Sequence, residues 1–118
     1  MNTFKQGRLG EEIRKLISSM LITDIKDNRL QDAMITISQV DVTRDGSYAT
    51  CYFTILNDKG EDESVEREVL AGLNSAKGLM KKHIGQSIKL RRVPELIFKR
   101  DKSLEYGRHI EEILKTIE

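Results

Sequence analysis

Tryptophan is absent, cysteine and proline occur once each, and aromatic residues make up only 5 % of the 118 residues. The lone Cys51 excludes an internal disulfide framework and any multi-cysteine metal site. No apolar run approaches the ~18 residues of a membrane-spanning helix. Met1 to Lys15 mixes polar and charged residues and has no apolar signal core. His83 and His109 are the only histidines, and neither has metal-ligand spacing to the other or to Cys51. No glycine-rich loop ends in Gly-Lys-Ser/Thr, so a nucleotide-binding P-loop is unsupported. The acids from Asp58 to Glu68 do not make a calcium loop, because glycine comes third from Asp58 where such a loop needs it sixth. A non-enzyme without cofactor or metal is the expectation. With 33 % charged and 38 % hydrophobic residues, the chain reads as one soluble, cytoplasmic domain over residues 1–118.

Net charge is also scarce, at +1, but the balance hides an asymmetry. Residues 77–102 carry nine Lys/Arg against Glu95 and Asp101, a net of +7. Residues 58–68 hold six acids against Lys59 and Arg67, a net of −4. Arg8, Arg14 and Lys15 sit in a further basic stretch at the start of the chain. A bipolar surface steers a polyanion onto one face, although a solvated basic face would look the same.

Leu9, Ile13, Leu16, Ile17, Met20 and Leu21 form one apolar stripe and predict a helix over residues 8–23, broken at Asp27-Asn28. Residues 34–43 read as a strand whose apolar phase slips between Ile37 and Val40; a bulge near Ser38-Gln39 accounts for the slip. Asp45-Gly46 signals a hairpin. Residues 47–56 supply its partner strand, with Ala49, Cys51, Phe53 and Ile55 on the buried face. Cys51 is accordingly an inert core thiol. Tyr48 and Tyr52 share the other face, where they either cover the open sheet or stack on bases. A second helix begins near Glu63-Ser64 and runs to a stop at Gly85, kinked or broken at Gly78. Residues 86–100 read as extended, with Pro94 at an edge. Asp101 or Ser103 caps a last helix with the stripe Tyr106, Ile110, Ile113, Leu114 and Ile117. The order is α-β-β-α-α-β-α, an α+β layer fold.

The chemistry that is present lies in Ala76-Lys77-Gly78 and the residues after it. A helix restarting at a glycine offers backbone N–H groups to phosphate. Lys77, Lys81 and Lys82 add charge, with Lys77 and Lys81 one turn apart. His83 follows them and faces solvent or a phosphate. The next segment brings Lys89, Arg91 and Arg92, and arginine forks onto phosphate oxygens. These residues describe a basic groove for RNA backbone with few base-reading groups.

At these residues the chain resembles the ribosome-binding factor A family, bacterial assembly factors of the small ribosomal subunit. Ala76-Lys77-Gly78 lies between two helices where type II KH domains carry Gly-x-x-Gly. The run Arg91-Arg92-Val93-Pro94-Glu95-Leu96-Ile97-Phe98, continued by Asp101 and Ser103, is the more specific match. Gly7-Arg8-Leu9-Gly10 also spells the KH signature, but no helix precedes it; it reads as a flexible entry to the first helix. The resemblance implies a type II KH-like fold with a C-terminal helix on a three-stranded sheet. It implies binding to the 30S subunit through 16S ribosomal RNA, late 16S maturation including 5′-end processing, and a role in growth at low temperature. It also implies release assisted by an assembly GTPase. The sequence stops at Glu118, so a role that longer relatives give to a tail is not expected. No large apolar stripe is left over, so a monomer is expected. A generic single-stranded RNA binder and a protein-interaction module are the alternatives.

Overall fold

The computed structural model describes the backbone of residues 3–56 and 63–101, and side chains from residue 7 onward. The acidic loop and the stripe of the expected last helix lie outside the described residues. Within them the elements are α1 (Thr3–Thr23), α2 (Asn28–Ala33), β1 (Ile35–Val42), β2 (Tyr48–Ile55), α3 (Glu63–Ser75), α4 (Lys77–Ser87) and β3 (Glu95–Arg100). The sheet order is β1-β2-β3, with β1 antiparallel and β3 parallel to β2. This is the expected α+β architecture on a three-stranded sheet, with one short helix, α2, added to the expected order.

The bulge falls where the apolar phase slips. Ile37 pairs with Phe53 and Gln39 with Tyr52, so Ser38 has no place in the ladder. That extra residue returns Val40 to the face of Ile37, and both are buried. Ala49, Cys51, Phe53 and Ile55 are buried beside them. Ile13, Ile17 and Met20 of α1, Val69 and Leu73 of α3, and Met80 and Ile84 of α4 complete the core with Leu96 and Phe98 of β3. Thr54 departs from the alternation: it is buried, and its hydroxyl shares a hydrogen bond with Thr36 across the strand pair.

Several expectations need correction. The break at Asp27-Asn28 is the start of a helix. Asp27 caps α2, its carboxylate accepting from the Arg29 N–H at 2.9 Å and from the Arg29 guanidinium at 2.7 and 3.0 Å. Met34 is not strand but the left-handed C-cap of α2, at φ 52°, its N–H bonded to the Gln31 carbonyl. The break between α3 and α4 is at Ala76, not Gly78. Finally, residues 86–94 are not a strand. The helix passes Gly85 and ends at Ser87, and an irregular segment carries Lys89, Arg91 and Arg92 to β3. The physical reason lies at both ends of that segment. Gly85 lacks the Cβ that would stand 3.3 Å from Val93, so the segment folds back against α4. Pro94 is fully buried and has no N–H to give a ladder, which therefore starts at Glu95.

Gly10 is neither part of a KH loop nor a flexible entry. It lies within α1 and is buried where the helix meets β1, and a Cβ there would stand 2.3 Å from the Val40 carbonyl oxygen. Backbone cannot step aside as a side chain can. Gly10→Ala is expected to destabilise the fold by about 1–3 kcal/mol. Gly7, with open space around it, is expected to gain up to about 1 kcal/mol from the same change. Thermal unfolding of the two variants checks the contrast.

Candidate nucleic-acid interface

The start of β3 brings three separate pieces of chain together. The Glu95 N–H donates to the Ser47 carbonyl at 2.8 Å, and Glu95 stands opposite Tyr48 in the parallel register. From α4, Lys81 Nζ reaches Glu95 Oε2 at 2.9 Å. From the irregular segment, Arg92 donates to the Ser47 hydroxyl. The hairpin turn, the first turns of α4 and the entry to β3 thus form one polar corner, with Tyr48 half-exposed beside it.

The electrostatics of the corner follow from these contacts. The Lys81 ammonium holds the Glu95 carboxyl below the usual carboxylate range, and the nearby Lys77 charge adds to the effect. Asp45 is pulled down to about 2. The Ser47 N–H is the largest single cause, helped by the Ser47 and Thr43 hydroxyls and the Arg92 charge. Its carboxylate accepts from Ser47 N–H at 3.0 Å and Thr43 Oγ1 at 2.9 Å, which locks the turn around Gly46 at φ +74°. Cys51 lies inward of the corner and is fully buried. Burial pushes its thiol up to about 12, so the thiol stays protonated at neutral pH. Among the described residues no group of His, Cys, Asp and Glu is arranged to hold a metal ion, and no helix is long and apolar enough to cross a membrane.

Ala76 sits between α3 and α4 at φ −88°, ψ −4°, and its N–H is shared between the Gly72 and Leu73 carbonyls. No side chain caps the start of α4. Gly78 follows within the first turn of α4. It has no positive φ, and an added Cβ would meet open space. Neither conformation nor packing requires glycine there, so what the missing side chain leaves is bare, exposed backbone.

The sequence-derived residues divide into groups. Lys82, Lys89 and Arg91 are exposed, with no hydrogen bond or ion pair among the described residues. Lys77 and Lys81 are half-buried, and Lys81 is tied to Glu95. Arg92 is exposed but engaged with Ser47. His83 does not simply face solvent: its Nδ1 lies 3.9 Å from an Asp24 carboxylate oxygen at the end of α1. Arg8, Arg14 and Lys15 lie on α1, where Arg14 is paired with Glu11, and no bond among the described residues ties them to the α4 group. The count of nine basic residues also overstates the face, because Arg100 pairs with Glu66 of α3 at 3.6 Å. Glu95 is the participant that sequence reasoning passed over; it stood in the motif as an acid beside Pro94, with nothing to place it under Lys81.

A model of the family described as Ribosome-binding factor A matches residues 5–114. The chain belongs to the ribosome-binding factor A family. A ribosome-binding factor A of Geobacter sp. (strain M21) is 50 % identical over 113 residues, covering 96 % of this chain and 90 % of the relative. The crystal structure of ribosome-binding factor A from Thermus thermophilus has a TM-score of 0.69 at 18 % identity, covering 83 % of this chain and 97 % of that one. A homology model of the Thermus thermophilus factor, fitted into a cryo-EM map of its 30S complex, has a TM-score of 0.61 at 17 % identity. It covers 82 % of this chain and 96 % of that one. The likeness to these two structures shows the fold.

The corner yields two predictions. The folded-state value for Asp45 lies below the ordinary 3.8, so its ionised form favours the fold. That contribution is complete above about pH 5 and is lost as pH falls towards 2. Asp45→Ala should lower the melting temperature at pH 6, and the gap from the unsubstituted protein should close steeply between pH 4 and pH 2. Gly78→Ala should raise stability by up to about 1 kcal/mol, read by urea unfolding, because helix propensity improves and nothing clashes.

Proposed function

We propose that this chain binds the free 30S subunit by gripping 16S ribosomal RNA backbone, as a non-enzymatic assembly factor. Lys77, Gly78, Lys81, Lys82, Lys89, Arg91 and Arg92 form the grip, and the exposed Arg8 and Lys15 extend it along α1. Lysines act as point charges and arginines as forks on phosphate oxygens. The bare backbone at Gly78 lets a phosphate approach the start of α4 closely. Few groups on this surface read base edges, so the RNA is recognised by its path and shape. Bound this way, the protein acts by differential affinity, favouring one conformation of the maturing subunit over others. Late 16S maturation including the 5′ end, growth at low temperature and release by an assembly GTPase belong to this reading, as does a cytoplasmic monomer.

Membership of a family whose Thermus thermophilus member is fitted into a 30S map carries the reading. Lys82, Lys89 and Arg91, exposed and without an ion pair among the described residues, support it on this chain.

Co-sedimentation with separated small subunits, large subunits and joined ribosomes tests it. Selective migration with free small subunits is expected. With ~5 phosphate contacts, affinity should fall by two to three orders of magnitude over a fourfold rise in salt. Lys82→Glu with Lys89→Glu should weaken binding at least tenfold at unchanged melting temperature. Gly78→Ala should bind more weakly although it folds more stably. A flat salt response and unimpaired charge-reversal variants would instead indicate a protein-interaction module. Equal binding to any RNA would indicate a generic RNA binder.

A further inference from the structure

Lys81 is unlike its neighbours. Lys82, Lys89 and Arg91 reach into solvent, but the Lys81 ammonium is held 2.9 Å from Glu95 Oε2. The acid is mounted rigidly. It follows the fully buried Pro94, its own N–H is bonded to the Ser47 carbonyl, and Leu96 after it lies in the core. The charge of Lys77, one turn before Lys81, adds a smaller electrostatic effect on the same carboxylate. Both partners of the close pair remain partly open, with side-chain exposures of 36 % for Lys81 and 49 % for Glu95.

An exposed pair of this kind biases an equilibrium by no more than about fivefold. A phosphate, forming a charge-assisted bond of similar length, can therefore displace the carboxylate from Lys81. Displacement leaves Glu95 unpaired and close to the incoming anion, where like charge repels. Glu95 thus opposes binding twice, first by occupying Lys81 and then by repelling its replacement.

We propose that Glu95 is a release acid: it competes with RNA phosphate for Lys81, sets the grip below its attainable strength, and takes the lysine back as the RNA leaves. This rests on the reading that the surface binds ribosomal RNA. Glu95→Gln keeps the size of the side chain and removes the charge. It should bind free small subunits three- to tenfold more tightly, mainly through slower dissociation. Its affinity should depend on salt more steeply by about one further ion released. Lys81→Gln should cost more in the Glu95→Gln background than alone, because only there is Lys81 free. Glu95→Asp, which keeps the charge but draws it back by one methylene, should gain less than Glu95→Gln.

Binding and release are read with fluorescently labelled protein and purified small subunits, with thermal unfolding of each variant alongside. Unchanged or weaker binding by a stably folded Glu95→Gln overturns the proposal, as does equal behaviour of the Gln and Asp variants. Failure of the unsubstituted protein to bind small subunits overturns the underlying reading and this inference together, and is told apart by that arm alone.

Discussion

The basic corner depends on where the parallel pairing of β3 with β2 begins. The bond from Glu95 N–H to the Ser47 carbonyl is the first contact of β3 with the hairpin, and it cannot start earlier because Pro94 has no N–H. That start sets the register, placing Leu96 and Phe98 beside Ala49 and Cys51 in the core. A slip by one residue would turn both outward and drive Glu95 into the core. The same bond determines the surface. It puts Glu95 under Lys81, brings Arg92 to Ser47, and leaves Lys89 and Arg91 on a segment with no strand partner. The motif around Pro94 is therefore architectural in its apolar members and electrostatic in Glu95 and Arg92.

Much of this was legible in the sequence where burial alone decides the outcome. The stripe of α1 and the alternation of β2 are periodic signals of a single buried face, and the bulge was visible because it restored that periodicity. Asp27, Leu30 and Ala33 also carried the signature of a capped helix, but six residues are too few for the period to stand out from a turn. The boundary at Ala76 was less legible. Glycine cost points to Gly78, yet the residue that leaves the helix has an ordinary conformation that any amino acid adopts. The irregular path of residues 88–94 depends on Gly85 meeting Val93 across the fold, a contact no local pattern announces.

The site was legible as a composition and not as an arrangement. Counting charges found the basic stretch, but a count treats every cation as equally available. Tertiary structure sorted them: Arg100 is spent on α3, Arg92 braces the hairpin, Lys81 is paired with Glu95, and Lys82, Lys89 and Arg91 are exposed with no partner among the described residues. Acid partners remote in sequence, 34 residues away for Arg100 and 14 for Lys81, make the difference. The pairing of Arg14 with Glu11, one helical turn apart, was by contrast available to inspection.

On the proposed reading, this sorting bears on how a transient RNA binder is built. Affinity for a polyanion rises with every free cation, and so does the difficulty of leaving it. A factor that acts on an intermediate and then departs gains nothing from maximal charge. Braced arginines keep the surface in shape without waiting for RNA, so little ordering is required on contact. A lysine held by an exposed acid adds little net attraction at long range, because the pair is neutral, and contributes little once bound, because the pair it leaves must be given up. The acid also ties the turnover of the grip to the fold itself, since Glu95 owes its position to the strand register. On the proposed reading, a basic face whose cations are partly balanced in place is strong enough to find RNA and weak enough to let go.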